Sequence, residues 1–264
     1  MDLKLKNKTA FISGSTAGIG FAIAKVLLNE GVKVIINGRS KQSVDSALIK
    51  LRKINPNANI SGFPADFSNN NEVEALCKKL PKLDILINNV GIYKSASFFE
   101  MNDSDWQEQF EINVMSGVRL SRYFLPNMLK QNWGRILFVS SECAELVPPD
   151  MLAYSMTKTA MLSVAKGLAQ LTKASRVTIN SIIPGSTLSE GAEQFLENEA
   201  AKSGKTKAAV EADFFKDVRM SSLLQRFASV DEVATTTVYY CSPLASATNG
   251  AIIKVDGGST GGII

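Results

Sequence analysis

"TAFISGSTAGIGFAIAKVLLNEGVKVIINGRS", residues 9–40, decides the architecture. It opens on a short apolar run, "TAFIS" (9–13), and turns through "GSTAGIG" (14–20). It then continues as "GFAIAKVLLNEG" (20–31), whose apolar residues recur at helical spacing and whose last residue, Gly31, suits a helix C-terminus. A β-branched run, "KVIIN" (33–37), follows at once. Two strands parted by one helix lie parallel, because only a crossover of that length returns the chain to the same end of a sheet.

The same rhythm runs outward along the chain. Further strands are expected at 59–65, 83–88, 135–140, 177–183 and 251–255, and helices at 43–55, 70–80, 103–131, 151–174 and 230–242. This predicts an α/β fold: a single doubly wound, Rossmann-like domain over residues 1–264, with a seven-stranded parallel sheet and helices on both faces. One segment breaks the rhythm. Residues 186–224 carry no strand signal, only two helix-like pieces parted by "SGK" (203–205), with Phe195, Leu196, Phe214, Phe215 and Met220 as their apolar residues. A long insertion after a strand's C-terminal end reads as a helical lid over a ligand, and a surface helical hairpin is the plainer alternative.

Composition excludes several classes. Of 264 residues 45% are hydrophobic, enough for a large core, and the net charge of +4 arises from 29 basic and 25 acidic residues mixed along the chain. No clustered basic stripe points to nucleic acid. No apolar run reaches the roughly 18–20 residues of a membrane span, and "MDLKLKNKTAF" lacks the apolar core of a secretory signal. Cys77, Cys143 and Cys241 are scattered and odd in number, which suits a reducing compartment, so the expected location is cytoplasmic. The chain contains no histidine. That removes Ser-His-Asp and Cys-His hydrolysis and His-built zinc sites, so no metal is expected.

The glycine turn suggests the ligand. Gly14, Gly18 and Gly20, with Ser15, Thr16 and Ile19 between them, let the backbone approach a pyrophosphate at a helix N-terminus, although glycines there also serve simply to tighten a bend. An NAD enzyme places a carboxylate at the end of the second strand to bind the ribose 2′-hydroxyl. Here the sequence reads "IINGRS", with Gly38 and Arg39. A guanidinium grips a 2′-phosphate that a carboxylate would repel, so NADP(H) is expected in preference to NAD(H); a solvated surface Arg is the bland alternative. Asp66, followed by Phe67, ends the third strand and is a candidate for the adenine edge. "NNVGIY" (88–93) ends the fourth, where Asn88 and Gly91 meet either the cofactor or neighbouring backbone.

A chain without histidine needs another proton carrier. In "YSMTK" (154–158), Tyr154 and Lys158 are spaced i, i+4 and share one helix face. A phenol must fall by about two to three units to work near neutrality, and an ammonium a few ångströms away supplies roughly that much, helped by the positive charge of an oxidised nicotinamide. Alone, the pentapeptide reads rather as an amphipathic helix with a half-buried Tyr and a snorkelling Lys.

Taken in order, "GSTAGIG", "NNVG", Asn113 in "EINVMS", Ser141 in "VSSE", "YSMTK", "PGST" (184–187) and "VDGG" (255–258) resemble the short-chain dehydrogenase/reductase family over essentially the whole chain. The resemblance implies an oxidoreductase in which Tyr154 is the general acid/base, Lys158 holds the nicotinamide ribose, Ser141 holds the substrate oxygen and Asn113 anchors a water leading to Lys158. It implies that Pro184, Gly185 and Thr187 flank the nicotinamide. It further implies a homotetramer or homodimer, with the helix at 151–171 and the last strand at interfaces. Val90 replaces the family's usual Ala, and Asn249 its usual Thr. The expected activity is NADP(H)-dependent interconversion of a carbonyl and an alcohol on a small molecule. The alternatives are a 3-oxoacyl-carrier-protein reductase, or a non-catalytic NADP(H)-binding sensor or scaffold. Phe98, Cys143, Leu146, Met151, Phe195 and Phe214 are apolar candidates for the substrate pocket or simply packing, and Tyr93, Lys94, Glu142, Glu145 and Glu190 are polar ones.

Overall fold

The computed structural model describes residues 1–262; Ile263 and Ile264, the end of the expected 1–264 domain, lie outside the described residues. The first half runs β1 (Thr9–Ile12), α1 (Gly18–Asn29), β2 (Lys33–Gly38), α2 (Lys41–Ile54), β3 (Ile60–Pro64), α3 (Asn70–Lys79), β4 (Ile85–Asn88), α4 (Asp103–Phe110), a π-helical turn (Glu111–Met115) and α5 (Ser116–Lys130). The second runs β5 (Gly134–Val139), α6 (Cys143–Leu146), α7 (Leu152–Gln170), β6 (Val177–Pro184), β7 (Thr187–Leu188), α8 (Glu190–Ser203), α9 (Lys207–Asp217), β8 (Ala228–Ser229), α10 (Val230–Cys241) and β9 (Ile252–Val255). All seven expected strands form one parallel sheet in the order β3-β2-β1-β4-β5-β6-β9. The order reverses between β1 and β4, which opens a crevice at the carboxyl ends of the strands.

Strand periodicity sorts side chains to two cores. Ile12, Ile36, Ile87 and Leu137 face Ile23 and Leu27 of α1 and Val238 of α10. Phe11, Leu86, Ile136 and Ile179 face Leu76 of α3, Leu120 and Phe124 of α5, and Met161 of α7. Helix α1 ends as expected: Gly31 adopts φ 73°, and the Val32 N–H returns to the Leu27 carbonyl at 3.1 Å.

Two expectations are corrected. The single helix at 103–131 is broken by the π-helical turn, whose extra residue per turn re-aims the side chains that follow. The insertion contains a strand after all, since β7 pairs with β8 beyond it. Two-residue strands carry no alternation to read. Otherwise the insertion is the expected pair of helices, parted at Gly204 (φ 69°) and restarted by Thr206, whose hydroxyl accepts from the Ala209 N–H at 3.2 Å. Leu196, Val210 and Phe215, with Phe227 just beyond it, form a small core separate from those of the sheet. Among the described residues no helix is long and apolar enough to cross a membrane.

Candidate functional site

The glycine turn is tied to three strand ends. Gly14 and Gly18 both take positive φ, 61° and 56°. The Gly14 N–H donates to Asn37 Oδ1 at 3.2 Å, and Asn89 Nδ2 donates to the Ser13 and Gly14 carbonyls at 3.1 and 2.8 Å. A Cβ on Gly20 would lie 2.5 Å from both Asn89 Nδ2 and the Gly14 carbonyl, so only glycine allows this closeness. Ile19, next to it, packs partly buried on the core. The crevice beside the turn is lined by Gly14, Thr16, Arg39, Asp66, Phe67 and Gly91, among others, and encloses about 280 Å³.

Two sequence candidates turn away from that crevice. Ser15 is fully buried, its hydroxyl donating to the Ile12 carbonyl at 2.7 Å and accepting from the Asn37 N–H at 3.0 Å, so it braces the turn from behind. Asn88 is 2% exposed and donates to Ser121 Oγ at 3.3 Å beneath α5. Its strand parity matches Leu86, which already faces that core.

Arg39 is exposed at the outer edge of the crevice and forms no ion pair among the described residues. Beside it a Cβ on Gly38 would meet Thr16 Cγ2 at 2.5 Å, which leaves no room for an acidic side chain at that spot. Asp66 spends its carboxylate on the Ser68 N–H and hydroxyl, at 2.9 and 2.8 Å. Those bonds, with a smaller contribution from the Arg39 charge, hold it below the usual carboxylate range.

At the inner end of the crevice, a Cβ on Gly91 would sit 3.2 Å from Lys158 Nζ. Lys158 is 4% exposed; its amine donates to the Val139 carbonyl at 3.0 Å, and its own carbonyl accepts from Ser140 Oγ at 2.9 Å. The amine lies 5.4 Å from the centre of the Tyr154 ring. Asn113, carried by the π-helical turn, accepts from the Ile92 N–H at 2.7 Å and donates to the Ile92 carbonyl and to Thr157 Oγ1, both at 2.9 Å. It thus locks the β4 loop to α7 one residue from Lys158. Tyr93 packs edge-on against Tyr154, with ring centroids 6.0 Å apart. Pro184 ends β6, and Thr187 Oγ1 donates to the Gly185 carbonyl at 2.8 Å; a Cβ on Gly185 would lie 2.6 Å from the Asp256 backbone.

The proton affinities depart from the sequence argument. Burial pushes the Tyr154 phenol up, opposed by the adjacent Ser141 hydroxyl, while Cys143, Tyr93 and Glu142 add to the rise. Burial brings the Lys158 amine down to about 8. The expected drop in the phenol counted the charges of a neighbouring ammonium and of an oxidised nicotinamide; in the protein by itself desolvation of both groups outweighs the ammonium.

Two carboxylates join the insertion to the site. Glu142, 3% exposed and next to Ser141, accepts from Ser186 Oγ at 2.9 Å and from Arg219 Nε at 3.0 Å. Glu190, the first residue of α8, accepts from the Gly18 N–H at 2.8 Å. The apolar candidates divide. Phe195 and Phe214 pack edge-to-face on each other, 6.1 Å apart, in the insertion's own packing, and Phe98 packs on Phe99 and Trp106. Cys143 is buried, and its N–H donates to Ser141 Oγ at 3.2 Å. Asn37, Asn89, Thr157 and Arg219 are site residues that the sequence reading does not single out; Asn89, inside "NNVG", and Thr157, inside "YSMTK", carry a sequence signal.

Comparison with known proteins agrees with this geometry. Residues 8–200 match the short chain dehydrogenase family. Over 261 residues the chain is 43% identical to the uncharacterized oxidoreductase YvrD of Bacillus subtilis (strain 168), covering 98% of each. It is 30% identical to the 3-oxoacyl-[acyl-carrier-protein] reductase FabG of Aquifex aeolicus (strain VF5), covering 98% of this chain and 99% of that one. The crystal structure of L-sorbose reductase from Gluconobacter frateurii, complexed with NADPH and L-sorbose, superposes with a TM-score of 0.93 at 27% identity over the whole of both chains. In its sheet order, its glycine turn and its relatives alike, this chain belongs to the short-chain dehydrogenase family of oxidoreductases.

Proposed function

We propose that the protein is an NADP(H)-dependent reductase that interconverts a carbonyl and an alcohol on a small molecule, working as one catalytic domain with residues 186–224 as its lid. One observation carries this reading: Ser141, Tyr154 and Lys158 converge at the inner end of the crevice that the glycine turn opens. The residues present fit a dinucleotide. The turn admits no Cβ at Gly20, Gly38 leaves the strand end free of a carboxylate, and Gly91 opens toward Lys158. When bound, the nicotinamide supplies the hydride.

The chain's own residues do the rest. Ser141 donates to the substrate oxygen and orients it. Tyr154 delivers the proton to that oxygen, and a phenol held protonated by burial is the form that carbonyl reduction requires. Lys158, anchored on the Val139 carbonyl, binds the ribose and stabilises the phenolate left behind. Asn113 keeps the β4 loop and α7 in register and leads a water toward Lys158. Arg39 takes the 2′-phosphate, Asp66 and Phe67 border the adenine, and Pro184, Gly185 and Thr187 flank the nicotinamide.

A second copy of the chain is the proposed cover for the apolar groove lined by Val118, Leu125 and Leu129 on α5, Val164 and Leu168 on α7, and Leu171 just past its end, as in a homodimer or homotetramer. The buried, unpaired cysteines suit a cytoplasmic setting. NADPH absorbance decay tests the activity, measured across ketoses, simple ketones and a 3-oxoacyl thioester and repeated with NADH. Protein that binds NADPH yet oxidises it with none of them would refute the reductase and favour a nucleotide sensor.

A further inference from the structure

The start of the lid lies on the part of the glycine turn that a dinucleotide needs. Glu190 is an exposed residue, and its Oε2 accepts from the Gly18 N–H at 2.8 Å. A Cβ built on Gly18 would find that same oxygen at 3.6 Å and Ser189 Cβ at 3.7 Å, with nothing else as near. Gly18 opens α1, so its N–H is one of the donors that a helix start leaves without an intrahelical partner. Glu190 also opens α8, whose N-cap Ser189 makes no side-chain cap. One carboxylate therefore serves the positive ends of two helices at once. It forms no ion pair among the described residues.

We infer that Glu190 is an internal stand-in for the cofactor's pyrophosphate, a latch that holds the lid on the glycine turn and that the dinucleotide must displace. The inference rests on the dinucleotide reading above. Two anions cannot share the Gly18 N–H: they compete for one donor, and at a few ångströms they repel. Dinucleotide binding and the latched lid thus exclude each other. Entry of the cofactor frees the N-terminus of α8 while Arg219, beyond α9, stays paired with Glu142 beside Ser141. The lid is released at its cofactor end and remains held at its substrate end.

Binding, rather than turnover, tests the latch. NADPH is titrated against the full-length protein by fluorescence, with Glu190→Gln and, as control, Glu193→Gln, which removes the same charge from the first turn of α8 without touching Gly18. Glu190→Gln should tighten NADPH about three- to tenfold, a change of roughly 0.7–1.4 kcal/mol, and Glu193→Gln should change it less than twofold. Without nucleotide, amide hydrogen exchange across residues 187–203 should be faster in Glu190→Gln than in the unaltered protein. Equal or weaker NADPH binding by Glu190→Gln overturns the latch, as does equal tightening by both variants. If neither the protein nor its variants bind NADPH or NADH, the dinucleotide reading itself falls and takes the competition with it.

Discussion

Lys158 and Tyr154 are stacked rather than joined end to end: the amine lies 5.4 Å from the ring centre and is anchored on the Val139 carbonyl of the sheet. The phenol can thus be altered without dislodging the lysine. Tyr154→Phe should lower turnover by about 10² to 10⁴, the range of a general acid, while NADPH affinity changes less than about twofold. Single-turnover and binding measurements separate the two effects, and near-normal turnover would remove Tyr154 from the proton's path.

Burial of Lys158 has a pH signature. Its amine titrates near about 8 in the folded protein against 10.5 ordinarily. Between those values the unfolded chain binds the extra proton, so the stability contributed by this residue rises with pH; below about 8 the penalty is constant. Lys158→Met removes the penalty and should therefore compare best with the unaltered protein at pH 7. That comparison should worsen by roughly 3 kcal/mol by about pH 10.5. Urea midpoints at both pH values check it, and a difference independent of pH would mean that the buried amine is not desolvated as described.

On the proposed NADP(H) reading, cofactor choice is separable from chemistry at Arg39. Arg39→Ala should weaken NADPH at least about tenfold and NADH less than about twofold, because only NADPH brings the 2′-phosphate that needs a charged fork. Parallel titrations decide the matter; equal losses would assign Arg39 to solvent.

The Glu142–Arg219 pair is almost wholly buried, with side chains 4% and 14% exposed. Removing one partner strands the other's charge, so Glu142→Ala and Arg219→Met should each cost about 2–4 kcal/mol. The double variant should cost clearly less than the sum. Urea denaturation of all four proteins closes the cycle, and strict additivity would show that the two residues do not depend on each other.

Much of this was legible in the sequence. Strand periodicity and the glycine turn placed seven strands and the crevice, because burial on both faces leaves apolar runs that nothing else explains. Gly38 and Arg39 could be placed beside the crevice because β2 ends at Gly38. Ser15 could not, since a residue inside a tight turn points inward or outward by a torsion that composition does not reveal. Asn88 was readable by parity with Leu86, a count that matters more than its place in a motif. Arg219 lies 77 residues from Glu142, and no local pattern joins them. The π-helical turn that carries Asn113 looks like ordinary helix letter by letter. The phenol's rise escaped for a different reason: charge can be counted along a sequence, whereas the water lost on folding cannot.

The insertion's separate core, Leu196, Val210 and Phe215 with Phe227 just beyond it, sets it apart from the end of β5, which leads to Ser141, and from α7, which holds Tyr154 and Lys158. Its two helices pack largely on themselves, while Leu223 and Leu224 beyond them lie against Gly257 and Gly258, so α8 and α9 are the part that behaves as a cassette. On the proposed lid role, new preferences can be written by exchanging α8 and α9 alone, with Ser186 and Arg219 left in place to hold Glu142 beside Ser141.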